Sequence, residues 1–180
     1  MTGPRVRPLS AEEAAPEVRP IFETYMKERG NIPNMFRTAA IRPKHFQTMS
    51  AHFRTVMNEG TVPALLKELL WVRISHLNQC RYCLNSHTVL AKQKGASEAL
   101  VEAIQDRGSP ASMDALEPAW SAALAYADVL HRSGHDVTDE LYGRMAKTWD
   151  SGQVVEITMV IGMAEYFNRF NNSLRVEPTK

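Results

Sequence analysis

The stretch Ala64-Leu65-Leu66-Lys67-Glu68-Leu69-Leu70-Trp71-Val72-Arg73-Ile74-Ser75-His76, followed after a short corner by Cys80-Arg81-Tyr82-Cys83-Leu84-Asn85-Ser86-His87, decides the fold. In its first part Leu65, Leu66, Leu69, Leu70, Val72 and Ile74 cover most of a helical circumference, the pattern of a helix buried on most sides. Gly60 breaks the chain before it, and Pro63 stands where a first helical turn tolerates proline. Asn78-Gln79 reads as a corner. A second helix is expected from about Cys80 to Lys94, closed by Gly95 just past its end.

The same helical period runs outward in both directions, and no alternating run reads as a strand. Ser10 with Glu13 is a capping-box pattern that predicts a helix from Ala11 to about Lys27. Gly30, Asn31, Pro33 and Asn34 mark an irregular connection, with a short helix over Asn34 to Ala40. Pro43 starts another, carrying Phe46, Met49, Phe53 and Met57 on one side. Ser97 opens a short helix ended by Gly108-Ser109-Pro110. A helix from about Ala115 to His131 stops at Ser133-Gly134, and Thr138 caps a short one through Lys147. Asp150 with Gln153 caps the last long helix, with Val154, Ile157, Val160, Ile161, Ala164 and Phe167 as its apolar side. The expected product is an all-α single domain over 1–180, with a core at about 45–130 and a looser N-terminal arm over 1–42.

Composition narrows the function. The 180 residues are 44% hydrophobic and 23% charged, ordinary for a globular chain. With 21 Lys+Arg against 20 Asp+Glu the net charge is +1, so nucleic acid is not an expected partner. No apolar run is long enough for a signal peptide or a membrane span. Two cysteines exclude a secreted disulfide framework and point to the cytoplasm, where disulfides are usually transient and catalytic.

On a helix Cys80, Cys83 and His87 fall within roughly 60° of arc, on one face. Both cysteines stand in the first turn, where unpaired N–H groups and the helix dipole favour a thiolate. A second thiol one turn away can resolve a sulfenic acid as a disulfide. Glu68 lies roughly 13 Å of helix before the corner, and His87 roughly 10 Å beyond Cys80. If the two helices fold back antiparallel, carboxylate and imidazole meet, and the histidine can relay a proton for Cys83, directly or through water.

The pattern Glu68-x-x-Trp71, then Cys80-x-Tyr82-Cys83-x-x-x-His87, with 12 residues from Glu68 to Cys80, resembles the AhpD-like alkylhydroperoxidase family of the carboxymuconolactone decarboxylase superfamily. The flanks Asn31-Ile32-Pro33-Asn34-Met35-Phe36 and Tyr166-Phe167-Asn168-Arg169-Phe170-Asn171-Asn172 look like its peroxidase-related subgroup. The resemblance implies an AhpD-like helical subunit that forms a dimer, trimer or hexamer. Its implied activity is alkylhydroperoxidase, an antioxidant, peroxiredoxin-type oxidoreductase activity. It needs no cofactor or metal and reduces hydroperoxides with a dithiol donor, of which a lipoyl group is the type. By the same resemblance Cys83 is the peroxidatic thiol, Cys80 the proton donor and resolving thiol, and Glu68 and His87 the relay. The chain departs from the family at Tyr82, where the best-studied members have histidine. A phenol with a pKa near 10 shuttles protons less readily than imidazole at neutral pH.

Plainer readings stand beside these. The cysteines could be inert packing residues. Cys80, Cys83 and His87 could hold zinc with His76 or Glu68 as fourth ligand, in a non-enzymatic metal-binding or redox-sensing module, although no second CxxC completes a usual set. The superfamily name also admits a lactone decarboxylase or isomerase. Glu68, set among leucines, calls for a partner if buried. Trp71 reads as core packing beside the site, Tyr82 as either a pocket hydroxyl or a packing ring, and His76 as structural. His45, His52, His131 and His135 read as solvent-facing, and the nine methionines as core filler. Asn168, Arg169 and Asn172 read as surface residues or as the rim of a pocket or subunit contact.

Overall fold

A computed structural model describes residues 3–105 and 116–179. The helices are α1 (Arg19–Arg29), α2 (Asn34–Ala39), α3 (Pro43–Asn58), α4 (Ala64–Leu77), α5 (Arg81–Gln93), α6 (Glu98–Gln105), α7 (Pro118–Arg132), α8 (Asp139–Ala146) and α9 (Ser151–Leu174). A 3₁₀ turn at Gly134–Asp136 joins α7 to α8, and no strand occurs among the described residues. The fold is all-α. The expected stop at Gly108-Ser109-Pro110 and start at Ala115 lie outside the described residues.

Helix α4 is the axle. It packs against α5, α6, α7 and α9, and every residue from Leu66 to Ser75 is buried. Three of those residues are charged, and each is paired, as burial requires. Lys67 donates to the carbonyls of Val56 and Glu59 and meets Glu156 at 2.7 Å. Arg73 forks onto Asp128 at 2.6 and 2.8 Å and donates to the Ile104 carbonyl. Glu68 is the third and belongs to the site.

The turn into α5 is tight. Asn78 caps α4, Gln79 takes a left-handed φ of 52°, and the Cys80 N–H donates to the Ser75 carbonyl at 2.8 Å. Cys80 is thereby the N-cap of α5 and Cys83 its third residue. At the far end Gly95 has φ 99°, a conformation that glycine adopts without strain.

Helix α1 begins later than the capping box predicts. Ser10 and Glu13 do bond reciprocally, at 2.7 and 3.3 Å, but they close a single turn. Pro16 biases Ala15 away from helical torsions, and the helix starts at Arg19 with Pro20 in its first turn. The segment before α3 is not loose. Val18, Phe22, Tyr25, Met35 and Phe36 are buried. An aromatic chain runs from Phe22 and Phe36 through Phe46 and Phe53 to Phe167 and Trp71, with neighbouring rings 5.2 to 6.4 Å apart. Asp150 and Gln153 form the full capping box of α9, and Thr138 caps α8. Among the described residues no helix is long and apolar enough to cross a membrane.

Candidate active site

The α4–α5 turn brings Glu68 of α4 against His87 of α5, with Oε2 and Nδ1 2.6 Å apart. Both side chains are buried. Lys94, just past α5, reaches the other carboxylate oxygen at 3.0 Å. Burial pushes the Glu68 carboxyl up, but the hydrogen bonds and charges of His87 and Lys94 outweigh it and hold the group below its ordinary value. Glu68 is therefore a carboxylate, an acceptor only, so the hydrogen between it and His87 is carried on Nδ1. The ring lies flat on Trp71, 4.1 Å between centroids and 17° between planes, which fixes its orientation.

Cys80 and Cys83 are unbridged and buried, at 0% and 2% exposure. Position in the first turn does not act on them alike. The Cys83 thiol donates to the Cys80 sulfur; burial opposes ionisation there, but backbone N–H groups of Cys83 and Tyr82 also point at it, and the net shift is downward. Cys83 is pushed well above its ordinary value, by that shared proton, by burial and by the neighbouring charge. The expectation of two lowered thiols is thus corrected: the N-cap sulfur collects the N–H groups, and Cys83, a turn inside, keeps its own hydrogen.

Helix α9 completes the surroundings. Asn171 Nδ2 donates to Cys83 Sγ at 3.1 Å and faces Met35 Sδ at 3.5 Å. Asn168 donates to Ser75 Oγ and accepts from Asn78. Both amides pull the Cys83 pKa back down against the larger upward effects. Asn168 is fully buried, while Arg169 and Asn172 stay on the surface. Neither Asn171 nor Lys94 was singled out in the sequence. The available signal was phase: Ala164, Phe167, Asn168 and Asn171 follow the three- and four-residue spacing of the buried side.

Tyr82 joins the cluster mainly through its backbone. Its buried hydroxyl accepts from the Met35 N–H at 3.2 Å and meets Thr179 Oγ1 at 3.2 Å. The phenol thus caps the start of α2 and ties down the C-terminal tail. Burial raises its pKa further, against the lowering effect of those two partners.

His131 is not solvent-facing: its Nδ1 pairs with Glu165 at 2.6 Å, and Glu165 also receives Asn78 and Arg169. Among the described residues no group of three or more His, Cys, Asp or Glu side chains is placed to hold a metal ion. A cleft of about 490 Å³ opens beside the site, with Pro33, Ser86, Val89, Leu90 and Thr179 in its walls.

Known proteins share this arrangement of helices. Residues 43–128, which include all of α3, α4 and α5, match the carboxymuconolactone decarboxylase family. A peroxidase-related protein from Ralstonia eutropha JMP134, described as an alkylhydroperoxidase AhpD core, superposes with a TM-score of 0.88 at 20% identity, over 98% of this chain and 93% of that one. The debrominase Bmp8 superposes with a TM-score of 0.81 at 22% identity, over 97% and 91%. In sequence, the chain is 25% identical over 114 residues to the uncharacterized protein YdfG of Bacillus subtilis (strain 168), covering 63% of this chain and 76% of that protein. The fold is AhpD-like. Over residues 43–128 the chain is similar to the carboxymuconolactone decarboxylase family.

Proposed function

We propose that the chain is a thiol-dependent peroxidase that reduces organic hydroperoxides at the Cys80–Cys83 dithiol. The observation that carries this reading is the setting of that dithiol. Two unbridged thiols stand together at the start of α5, and one turn further on His87 is held by a buried carboxylate at 2.6 Å. Inert cysteines have no use for such ionic support, whereas a reactive pair does.

The lowered thiol is Cys80 and the raised one Cys83, so on loss of the first proton Cys80 takes the charge and Cys83 keeps its proton. Transfer of that proton to Cys80 makes the Cys83 sulfur the nucleophile. It attacks the distal oxygen of the hydroperoxide, and the S–O bond forms as the O–O bond breaks. The electron pair leaves on the alkoxide, which takes the proton from Cys80 and departs as an alcohol. Cys83 is now a sulfenic acid. The Cys80 thiolate attacks its sulfur, forming the disulfide, and the displaced hydroxide leaves as water after taking a proton. His87 takes and returns protons through water while Glu68 keeps its tautomer. A dithiol donor of lipoyl type then reduces the disulfide and is itself oxidised to one. The reading extends to a homo-oligomer working in the cytoplasm.

Cys83→Ser is expected to abolish peroxide-dependent oxidation of the reductant. Cys80→Ser is expected to stop after one turnover, with a sulfenic acid that mass spectrometry detects. Unchanged turnover in both variants removes the proposal. Since one protein of the same fold is a debrominase, solved also with 2,3,4-tribromopyrrole, bromide release is measured in parallel. Bromide release without peroxide consumption would overturn the choice of substrate. Activity on a muconolactone that survives loss of both cysteines would favour a decarboxylase.

A further inference from the structure

Asn168 and Asn171 stand one turn apart on α9, both buried, yet they differ in one respect. Asn168 has partners at both ends of its amide, Ser75 and Asn78. Asn171 has two sulfurs in front of its NH₂ group, Cys83 at 3.1 Å and Met35 at 3.5 Å, and no hydrogen-bond partner for Oδ1 among the described residues. The residue is 2% exposed. A buried acceptor without a donor is costly and uncommon in a folded chain. Turning the amide over does not remove the cost, because the NH₂ group would then be the part left unpaired. The vacant acceptor is attached to the same carbon as the donor that touches the candidate nucleophile.

We propose that Asn171 is a further catalytic residue, whose single amide serves both sides of the peroxide step. Its Nδ2–H donates to the Cys83 sulfur as that sulfur becomes anionic. Its Oδ1 accepts the hydroxyl hydrogen of the oxygen that the sulfur takes up. The inference rests on the peroxidase reading above and adds to it the group that orients the hydroperoxide. The distal oxygen of R–O–O–H keeps its hydrogen throughout. The sulfur gains that oxygen, the O–O electron pair leaves with R–O⁻, and Cys80 supplies the proton that releases R–OH. The hydrogen that donates to Oδ1 in the bound peroxide is then the hydrogen of the sulfenic acid, so the contact is kept from substrate to intermediate. The titratable groups acting on the Cys83 sulfur are Cys80 and Tyr82, on the first turn of α5, while α9 faces it with the neutral amides of Asn168 and Asn171.

The test uses the full chain carrying Cys80→Ser, so that one thiol titrates. Thiolate absorbance against pH reads the donor role, and the lifetime of the Cys83 sulfenic acid after a peroxide pulse, trapped with a dimedone-type probe, reads the acceptor role. Asn171→Leu, close in size but without polar atoms, is expected to raise the Cys83 pKa by about one unit, roughly a tenfold loss of thiolate below it, and to shorten the lifetime. Asn171→Asp keeps an acceptor and loses the amide donor, so the pKa rises while the lifetime stays near that of the parent. A Leu variant with both readings unchanged overturns the proposal. A raised pKa with an unchanged lifetime keeps the donor role and overturns the acceptor role. If the Leu variant does not fold, by its melting curve, the Asp variant decides, and an unmoved titration there is fatal. The titration needs no peroxide. A chain that consumes none would sink the peroxidase reading and the acceptor role with it, while the titration still decides the donor role.

Discussion

Glu68 and His87 illustrate how much a single pair depends on its surroundings. A carboxylate on a helix that is buried on most sides is unfavourable unless its charge is met, and here it is met twice, by His87 Nδ1 and Lys94 Nζ. Because the folded-state pKa of Glu68 lies below its ordinary value, the stability it contributes is fully present above that ordinary value. It is lost as the pH falls through the depressed folded value. Urea unfolding of the native chain and of Glu68→Gln, compared from pH 7 down to about pH 3, isolates this effect, since all other carboxylates are common to both. The variant is expected to be about 1–3 kcal/mol less stable at pH 7. The difference should shrink on acidification below the carboxylate range, and parallel curves would show that Glu68 carries no such charge. The same substitution weakens the hold on the His87 tautomer, so a loss of peroxide turnover should accompany the loss of stability.

At the scale of an element, the buried helix α4 is held at both ends by features that carry no chemistry. Before it, Gly60 has φ 96°, and a Cβ there would overlap the carboxylate of Glu156. That carboxylate accepts from the N–H groups of Thr61 and Val62 and neutralises the buried Lys67. Gly60→Ala therefore combines a strained torsion with displacement of the counter-ion of a buried lysine. We expect a cost of about 3–5 kcal/mol, by the measure of a buried pair broken on one side. Chemical denaturation checks it, and a cost below about 1 kcal/mol would mean that the loop relaxes freely. After α4, the left-handed Gln79 sets the direction in which α5 leaves, and with it the depth at which His87 meets Glu68.

Across the whole molecule, the two thiols are closed in by pieces distant in sequence. Asn34 N–H donates to Thr179 Oγ1 at 2.9 Å, the Asn34 side chain donates to the carbonyls of Glu177 and Pro178, and Thr179 also touches the Tyr82 hydroxyl. The tail after α9 thus straps the start of α2 over the Tyr82 side of the site. Removing the residues from Glu177 onward is expected to speed alkylation of Cys80 and Cys83 by iodoacetamide at least severalfold, with little change in the melting temperature, because exposed strap contacts contribute little to global stability. Alkylation at the native rate would show that access to the thiols is controlled elsewhere.

Helical periodicity reads residue by residue, and that is why α2 to α5, α8 and the caps at Thr138 and Asp150 were legible within a residue or two. So was the sharing of one face by Cys80, Cys83 and His87, which needs only 3.6 residues per turn. The start of α1 was misjudged because the Ser10–Glu13 box is locally real, while Pro16 limits it to one turn. The sequence by itself determined an all-helical chain with a CxxC-x-x-x-His turn and a charged residue buried in an apolar helix. Only the tertiary structure decided that Glu68 and His87 stand 2.6 Å apart. It likewise decided that Cys80 rather than Cys83 holds the lowered pKa, that Tyr82 bonds to Met35 and Thr179, and that Asn171 reaches the sulfur from 88 residues away. Those facts depend on burial and on partners brought together by packing, and the free energies of charge and hydrogen bonding respond to distance in space, not to position along the chain.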